Sequence, residues 1–325
     1  MNILVTGANG QLGQCLRDIV EGEDRENTWF WTDVSGVKDR KCDYLDITDE
    51  ESVRKYFIDN SVSICINCAA YTNVDKAEED QEMAKKLNAD APKILADACN
   101  IHGAKLIHIS TDYVFNGTEF FPITEDRLTF PMSVYGKTKL EGEQNIINSG
   151  CKYLIFRTAW LYSEYGKNFV KTVIDLTLSG KDMHVVNDQV GSPTYARNLA
   201  AFIWYIIEWN YLLTNGTYHF TDEGVASWYD LAYVVREFVL NRLEAGYIID
   251  GYERLGDVKP ISTKDFYGKK KHAPRPYYSV LNKGKARMDF GNLYNFPHWK
   301  EGAWVCVNKI MNEKRVKADN TMIPL

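Results

Sequence analysis

The stretch that decides the fold is Asn2–Leu16, NILVTGANGQLGQCL. Ile3, Leu4 and Val5 form a short apolar run, as in a strand whose sheet is covered on both faces. Glycines follow at 7, 10 and 13, and from Gln11 to Glu21 the residues Leu12, Leu16, Ile19 and Val20 recur at helical spacing. Strand, glycine turn and helix in this order make a dinucleotide-binding unit. Gly7 permits the tight turn, Gly10 lets the backbone approach a pyrophosphate, and Gly13 allows helix and strand to pack closely. The helix N-terminus adds free amides and a partial positive charge facing the phosphates.

The same rhythm continues outward. Trp29–Thr32, Tyr44–Asp46, Val62–Ala69, Lys105–Ser110 and Tyr153–Thr158 read as strands. Helices are expected near Asp49–Asp59, capped by Thr48 or Asp49, then over Lys76–His102 and Ser133–Ser149. Such alternation predicts an α/β fold with a Rossmann-type doubly wound parallel sheet. Past Gly166, helices near Asn168–Leu178, Tyr195–Trp209 and Ser227–Arg242 mix with short extended pieces at His184–Val186 and Thr217–Phe220. The expected organisation is a dinucleotide-binding domain over 1–165 and a smaller C-terminal α/β substrate lobe over 166–325, with some segments returning to the first domain. Asp257–Pro276 holds three of the nine prolines and the Lys269–Lys271 cluster, the pattern of a surface loop or lid.

Three further groups of residues carry chemistry. Asp33 stands 20 residues beyond Gly13, close to the spacing at which a carboxylate meets the adenosine ribose. An acid there favours NADH, whereas Lys38, Arg40 and Lys41 nearby suit NADPH, so both cofactors stay open. Tyr135 and Lys139 lie four apart on the helix expected at Ser133–Ser149, one above the other on one face. An ammonium beside a phenol favours phenolate and lowers the tyrosine pKa, which makes Tyr135 a proton donor to a carbonyl that receives hydride. Ser110-Thr111-Asp112 ends a strand at the sheet edge where doubly wound folds hold ligands, and a hydroxyl there can hold the carbonyl oxygen against Tyr135.

Composition excludes several classes. Of 325 residues, 45% are hydrophobic and 25% charged, enough apolar content for a core and too much for disorder. The balance of 38 Lys and Arg against 44 Asp and Glu leaves −6, which argues against a nucleic-acid-binding face. The first residues carry no basic leader, and Leu199–Leu213 contains Glu208 and Asn210 and falls short of the ~20 apolar residues a bilayer needs. Neither nucleic acid nor membrane is an expected partner. Seven dispersed cysteines fit reduced thiols and a cytoplasmic chain, with Cys65 and Cys68 as core residues rather than a redox pair.

The glycine turn, Ser110–Phe115 and the Tyr135/Lys139 pair resemble the extended short-chain dehydrogenase/reductase superfamily. Within it the chain is similar to the dTDP-4-dehydrorhamnose reductase family, through NCAAYTNVDKAE at 67–78, STDYVFNG at 110–117 and VYGKTKLEGE at 134–143. RTAWLY at 157–162, DQVGSPTYA at 188–196, GTYHFTDEGVASWYDLA at 216–232 and PRPYYSVL at 274–281 extend the likeness along almost the whole chain. The resemblance implies NADPH or NADH as cofactor and a dTDP-sugar as substrate, a 4-keto group being reduced. It implies Tyr135 as proton donor, Lys139 as its pKa tuner and ribose ligand, and Thr111 as third catalytic residue. Gly7, Gly10, Gln11 and Leu12 then belong to the pyrophosphate turn, and Asp33 to the adenosine ribose. Asp46 and Ile47 flank the adenine, while Ala70, Tyr71 and Thr72 line the cofactor cleft. Thr111, Asp112 and Trp160 contact the deoxyhexose, with Val74, Gln189 and Arg275 also on the substrate side.

No metal is implied for the chemistry, since proton and hydride come from protein and cofactor. Some members of the family use a glutamate shortly after the glycine turn in a magnesium-linked dimer. Here that place holds Cys15, and magnesium prefers hard oxygen ligands. A monomer or weak homodimer is therefore expected. Two other readings share the motifs: a catalytically silent nucleotide-binding subunit, like the regulatory subunit of methionine adenosyltransferase, and a nucleotide-sugar epimerase. The complete Thr111, Tyr135 and Lys139 set speaks against the first, and the second-half motifs against the other.

Overall fold

The computed structural model describes residues 1–24, 26–36, 40–245, 254–291 and 294–321, with side chains as far as 314. Chain order begins β1 (Asn2–Thr6), α1 (Gln11–Glu23), β2 (Thr28–Asp33), β3 (Asp43–Tyr44), α2 (Glu50–Asp59) and β4 (Ile64–Asn67). Then come α3 (Val74–Glu79), α4 (Gln81–Lys85), a π-helical turn at Lys86–Asp90, α5 (Ala91–His102), β5 (Lys105–Thr111), α6 (Val134–Asn148) and β6 (Lys152–Thr158). The second half contains β7 (Leu161–Tyr162), α7 (Phe169–Leu178), β8 (Met183–Val186), β9 (Val190–Gly191), β10 (Thr194–Tyr195), α8 (Ala196–Glu208) and β11 (Gly216–His219). It closes with β12 (Ala226–Ser227), α9 (Trp228–Glu244), β13 (Val258–Ile261), α10 (Thr263–Tyr267), β14 (Tyr278–Ser279), α11 (Gly284–Asp289) and α12 (Trp299–Thr321).

The main sheet has seven strands in the order β11-β6-β5-β4-β1-β2-β3, and every neighbouring pair is parallel. Strand order reverses between β1 and β4, so their C-terminal ends part and leave a crevice, the place where such sheets bind ligands. Side-chain alternation divides the strands between two cores. Ile3, Val5, Ile64, Ile66, Ile107, Leu154 and Phe156 face α1 and α8. Leu4, Cys65, Leu106 and Ile155 face α2 and α5 with Val53, Phe57, Leu95 and Cys99. Cys65 is therefore a core residue, and all seven cysteines are free thiols.

The strand β11 and the helix α8 come from the second half of the chain yet extend the sheet and cover it, so sequence halves and spatial layers do not coincide. A separate core forms where α7, α9 and α12 pack around Val173, Ile174, Leu231, Val235 and Val307. Beside it lie a short β12-β9-β14 sheet and the β13-β8 pair.

Two expectations need correction. The single helix expected over Lys76–His102 is four pieces. Asp80 (φ −116°, ψ 58°) breaks it, and the π turn before Pro92 swings the chain so that α5 can lie on the sheet. Asp257–Pro276 is not simply a loop: Val258–Ile261 pairs with β8 and Thr263–Tyr267 is helical, capped by Ser262. Its far end is tied to α3, since Asp75 accepts from the Ala273 amide (3.0 Å) and pairs with Arg275 (2.6 Å).

The π turn matters because α6 docks on it. A Cβ at Gly142 would lie 2.1 Å from the Asn88 carbonyl oxygen, so only glycine allows this approach. Gly142→Ala is expected to cost about 1–3 kcal/mol through overpacking. It should appear as a lower urea midpoint at an unchanged slope, and an unchanged midpoint would contradict this packing.

Candidate active site

The glycine turn follows β1 at the crevice. Gly7 has φ +64°, and a Cβ there would lie 2.5 Å from the Ala69 nitrogen on the neighbouring β4 extension. A Cβ at Gly13 would meet Ala8 Cα at 2.6 Å. Gly10 caps α1 without any side-chain cap, and no acid stands in the helix's first turn. The amides of Gln11 and Leu12 thus begin a helix whose positive end has no anionic side chain of its own, a site suited to a pyrophosphate. The Gln11 side chain turns away, accepting from Ser163 Oγ at 3.1 Å, and Leu12 is buried in the core.

Asp33, at the end of β2, folds back on this turn: one oxygen accepts from the Asn9 amide (3.1 Å), the other from the Ser35 amide and hydroxyl. Its backbone bonds to Leu45, which brings Asp46 and Ile47 alongside. Asp46 Oδ1 accepts from Thr48 N and Oγ1, while Ile47 is buried. Of the nearby cations, Arg40 is paired with Asp18 (2.7 Å) and lies over the Tyr165 ring, Lys41 is exposed, and Lys38 lies outside the described residues. Across the crevice, Ala70, Tyr71 and Thr72 follow β4. The buried Asn88 side chain clamps them, accepting from Tyr71 N (2.9 Å) and donating to Tyr71 O (3.0 Å).

Tyr135 lies in the first turn of α6, where Ser133 caps the helix through the Gly136 amide and Glu78 accepts from the Val134 amide. Its ring meets Tyr113 edge-on at 5.3 Å. Burial pushes the phenol up to about 12, Asp112 adds to this, and the Thr111 hydroxyl opposes it. The expectation that Lys139 lowers the phenol's pKa is corrected here. Lys139 Nζ donates to Ile109 O (2.6 Å) and faces His108 Nε2 (3.2 Å), so its polar contacts point into the sheet. A phenol with a raised pKa is protonated at neutral pH, which is the form a proton donor needs.

Thr111 Oγ1 donates to Asp112 Oδ1 (2.9 Å) and accepts from the Tyr113 amide. Asp112 is buried, and desolvation raises its carboxyl to about 6 against the hydroxyls of Ser279 and Thr111. Trp160 has φ +52°, a strained setting for an indole-bearing residue, and lies flat on Trp228 at 3.8 Å and 9°. A Cβ at Gly191 would lie 2.7 Å from the Trp160 ring, so glycine is needed behind it. Gln189 donates to Thr263 Oγ1 (3.0 Å), Arg275 pairs with Asp75, and Val74 opens α3. His108, Asn67, Asn88, Gly191 and Trp228 are site-supporting residues that sequence reasoning missed. The motifs at 67–78, 188–196 and 216–232 contained Asn67, Gly191 and Trp228, and the strand Lys105–Ser110 contained His108, but nothing in their spacing tells which residues turn inward.

A glycine cradle at the switch point of a doubly wound sheet, with a threonine at the end of β5 and a tyrosine and a lysine on α6, defines an extended short-chain dehydrogenase/reductase. Residues 1–312 match the RmlD substrate binding domain family, and the chain belongs to that family. It is 38% identical over 289 residues to a probable dTDP-4,6-dihydroxy-2-methyloxan-3-one 4-ketoreductase of Streptomyces antibioticus, covering 88% of each chain. A solved dTDP-4-dehydrorhamnose reductase from Clostridium acetobutylicum is 40% identical, with a TM-score of 0.81 over 95% of this chain and 99% of the other. That of Bacillus anthracis, in complex with NADP, is 34% identical, with a TM-score of 0.80 over the same shares.

Among the described residues no group of three His, Cys, Asp or Glu is placed to hold a metal, and no helix is long and apolar enough to cross a membrane. Gly7→Ala forces a side chain into the Ala69 backbone at positive φ. It should weaken NADPH binding on the order of tenfold or more, a loss above about 1.4 kcal/mol, measured by titrating nucleotide fluorescence. Unchanged affinity would remove the turn from the binding site.

Proposed function

We propose that the chain reduces the 4-keto group of dTDP-4-dehydro-L-rhamnose to give dTDP-L-rhamnose, with NADPH or NADH as cofactor, supplying sugar for cell-surface polysaccharide. The observation that carries this is the Thr111 hydroxyl against the Tyr135 phenol, with the buried Asp112 carboxyl facing both, in a chain whose relatives include dTDP-4-dehydrorhamnose reductases. A bound nicotinamide supplies the hydride. Tyr135 holds its proton on the phenol oxygen and releases it to the sugar oxygen as charge develops there. Thr111 turns its single hydroxyl proton from Asp112 to the same oxygen, and Asp112, so released, accepts from a neighbouring sugar hydroxyl. Trp160, held by Trp228 and Gly191, offers a flat face to the deoxyhexose ring.

The cofactor is assigned to Gly7, Gly10, Gln11, Leu12, Asp33, Asp46, Ile47 and Ala70 to Thr72, with Tyr135 and Lys139 at the reacting end. Residues 1–165 then form the cofactor part, and 166–325 mainly the sugar-nucleotide part, although β11 and α8 complete the first. The protein is assigned to the cytoplasm as a monomer or weak homodimer. Cys15, at the place where some relatives hold a metal-binding glutamate, is fully buried, and burial raises its thiol well above the ordinary range.

Tyr135→Phe should lose ~10²–10⁴-fold in turnover with a modest change in KM. The assay is the loss of NADPH or NADH absorbance on addition of purified dTDP-4-dehydro-L-rhamnose. Turnover by the variant at the wild-type rate would refute the assignment of the acid.

A further inference from the structure

A row of buried polar side chains crosses the middle of the sheet behind the site. Thr6 on β1 is in register with Asn67 on β4, and Asn67 with His108 on β5. Thr6 Oγ1 donates to Asn67 Oδ1 (2.8 Å), Asn67 Nδ2 lies 3.1 Å from His108 Nδ1, and His108 Nε2 lies 3.2 Å from Lys139 Nζ. All four residues are at most 1% exposed. Unpaired polar groups at that depth are costly, so the row must satisfy its own donors and acceptors.

One end of the row has a fixed polarity. Asn67 Oδ1 also accepts from the Ala69 amide at 3.1 Å, and a backbone amide can only donate. That turns the Asn67 NH2 toward His108, so Nδ1 must accept and the imidazole proton sits on Nε2. Nε2–H then points at Lys139 Nζ, which can accept only as an uncharged amine, one of its own hydrogens going to Ile109 O. An ammonium at Lys139 and this arrangement exclude each other.

We propose that His108, oriented by Asn67, is a positioning residue that holds Lys139 as a neutral amine while the lysine faces the sheet. Lys139 takes up a proton when it turns to the cofactor. The inference rests on the reading of Lys139 as the cofactor's ribose ligand. It makes cofactor binding proton-coupled at the alkaline pH where the amine is the resting form, and it links the lysine's charge to the Ala69 amide, which packs against Gly7. The other charged groups around Lys139 are few. Glu143 lies one turn along α6 and favours the ammonium, but it is itself paired with Arg157 of β6 (2.7 Å). Asp112 faces Tyr135, Glu78 of α3 holds the Val134 amide, and Lys85 of α4 pairs with Asp90 and Glu141 on the outer surface. Burial lowers the lysine to about 8, in the same direction, so the neutral amine is the resting form above that pH and the ammonium gains weight below it.

The tautomer can be read directly in the unaltered full-length protein from its imidazole nitrogen-15 resonances, with His108 assigned by loss of its signals in His108→Gln. The expected result is a protonated Nε2 and a bare Nδ1, and a protonated Nδ1 would overturn the proposal. Asn67→Asp provides a second test. Its carboxylate keeps the Thr6 and Ala69 contacts but accepts from Nδ1–H, which reverses the row and leaves Nε2 to accept from an ammonium. In the wild type, NADPH affinity should fall about tenfold per pH unit above about 8, with proton uptake on binding seen as a buffer-dependent heat. In Asn67→Asp and His108→Gln this limb should begin at least about one unit higher. An unmoved limb in both variants would overturn the proposal. NADPH affinity unaffected by Lys139→Met would instead refute the assignment of the lysine to the cofactor, whatever the tautomer.

Discussion

At the point where β1 and β4 part, the backbone after one strand lies against the backbone after the other. Gly7 and Ala69 approach so closely that a single extra carbon on Gly7 would sit 2.5 Å from the Ala69 nitrogen. This contact shapes the crevice. It turns the chain after β1 so that the α1 amides face outward, and it sets the path of Ala70 to Thr72 on the opposite wall. It also places the Ala69 amide where Asn67 can accept from it, so the row that ends at Lys139 starts from the same contact. Cradle and reacting groups are thus parts of one packing arrangement.

Burial governs the electrostatics of the site. The Tyr135 phenol and the Asp112 carboxyl are pushed up, and the Lys139 amine and His108 imidazole pushed down, with desolvation as the largest cause each time. Every shift favours the uncharged form. At neutral pH the phenol is thereby kept protonated and the His108 imidazole uncharged. The charges that remain are paired farther back, as with Glu143 and Arg157. An acidic chain can therefore serve anionic ligands, because helix amides supply the positive potential where it is needed.

Much of this was legible in the sequence because it depends on local periodicity. The strands of the sheet, the glycine turn, and Tyr135 and Lys139 on one helix all follow from residue spacing over a few positions. The failures share a cause as well. Nothing within Lys76–His102 demands a π turn; it arises because α6 must dock against Asn88 through Gly142. The prolines of Asp257–Pro276 suggested a loop, but pairing with β8, more than sixty residues earlier, made part of it a strand. Trp160 was named only through the family resemblance, and its support by Trp228 and Gly191 joins segments distant in the chain.

By itself the sequence determined the alternation of strand and helix, the glycine turn, and the placing of Tyr135 and Lys139 on one helix, since each is written in neighbours a turn or a pleat apart. Only the tertiary structure decided where those groups point and how burial biases their protonation. Spacing put Lys139 beneath Tyr135 and suggested a direct electrostatic partnership. The folded chain aims the lysine at His108 and Ile109, because the register of three strands lines up Thr6, Asn67 and His108 behind it. Strand register and burial depth are properties of segments brought together from across the chain, and they set both the direction of a hydrogen bond and the cost of a charge.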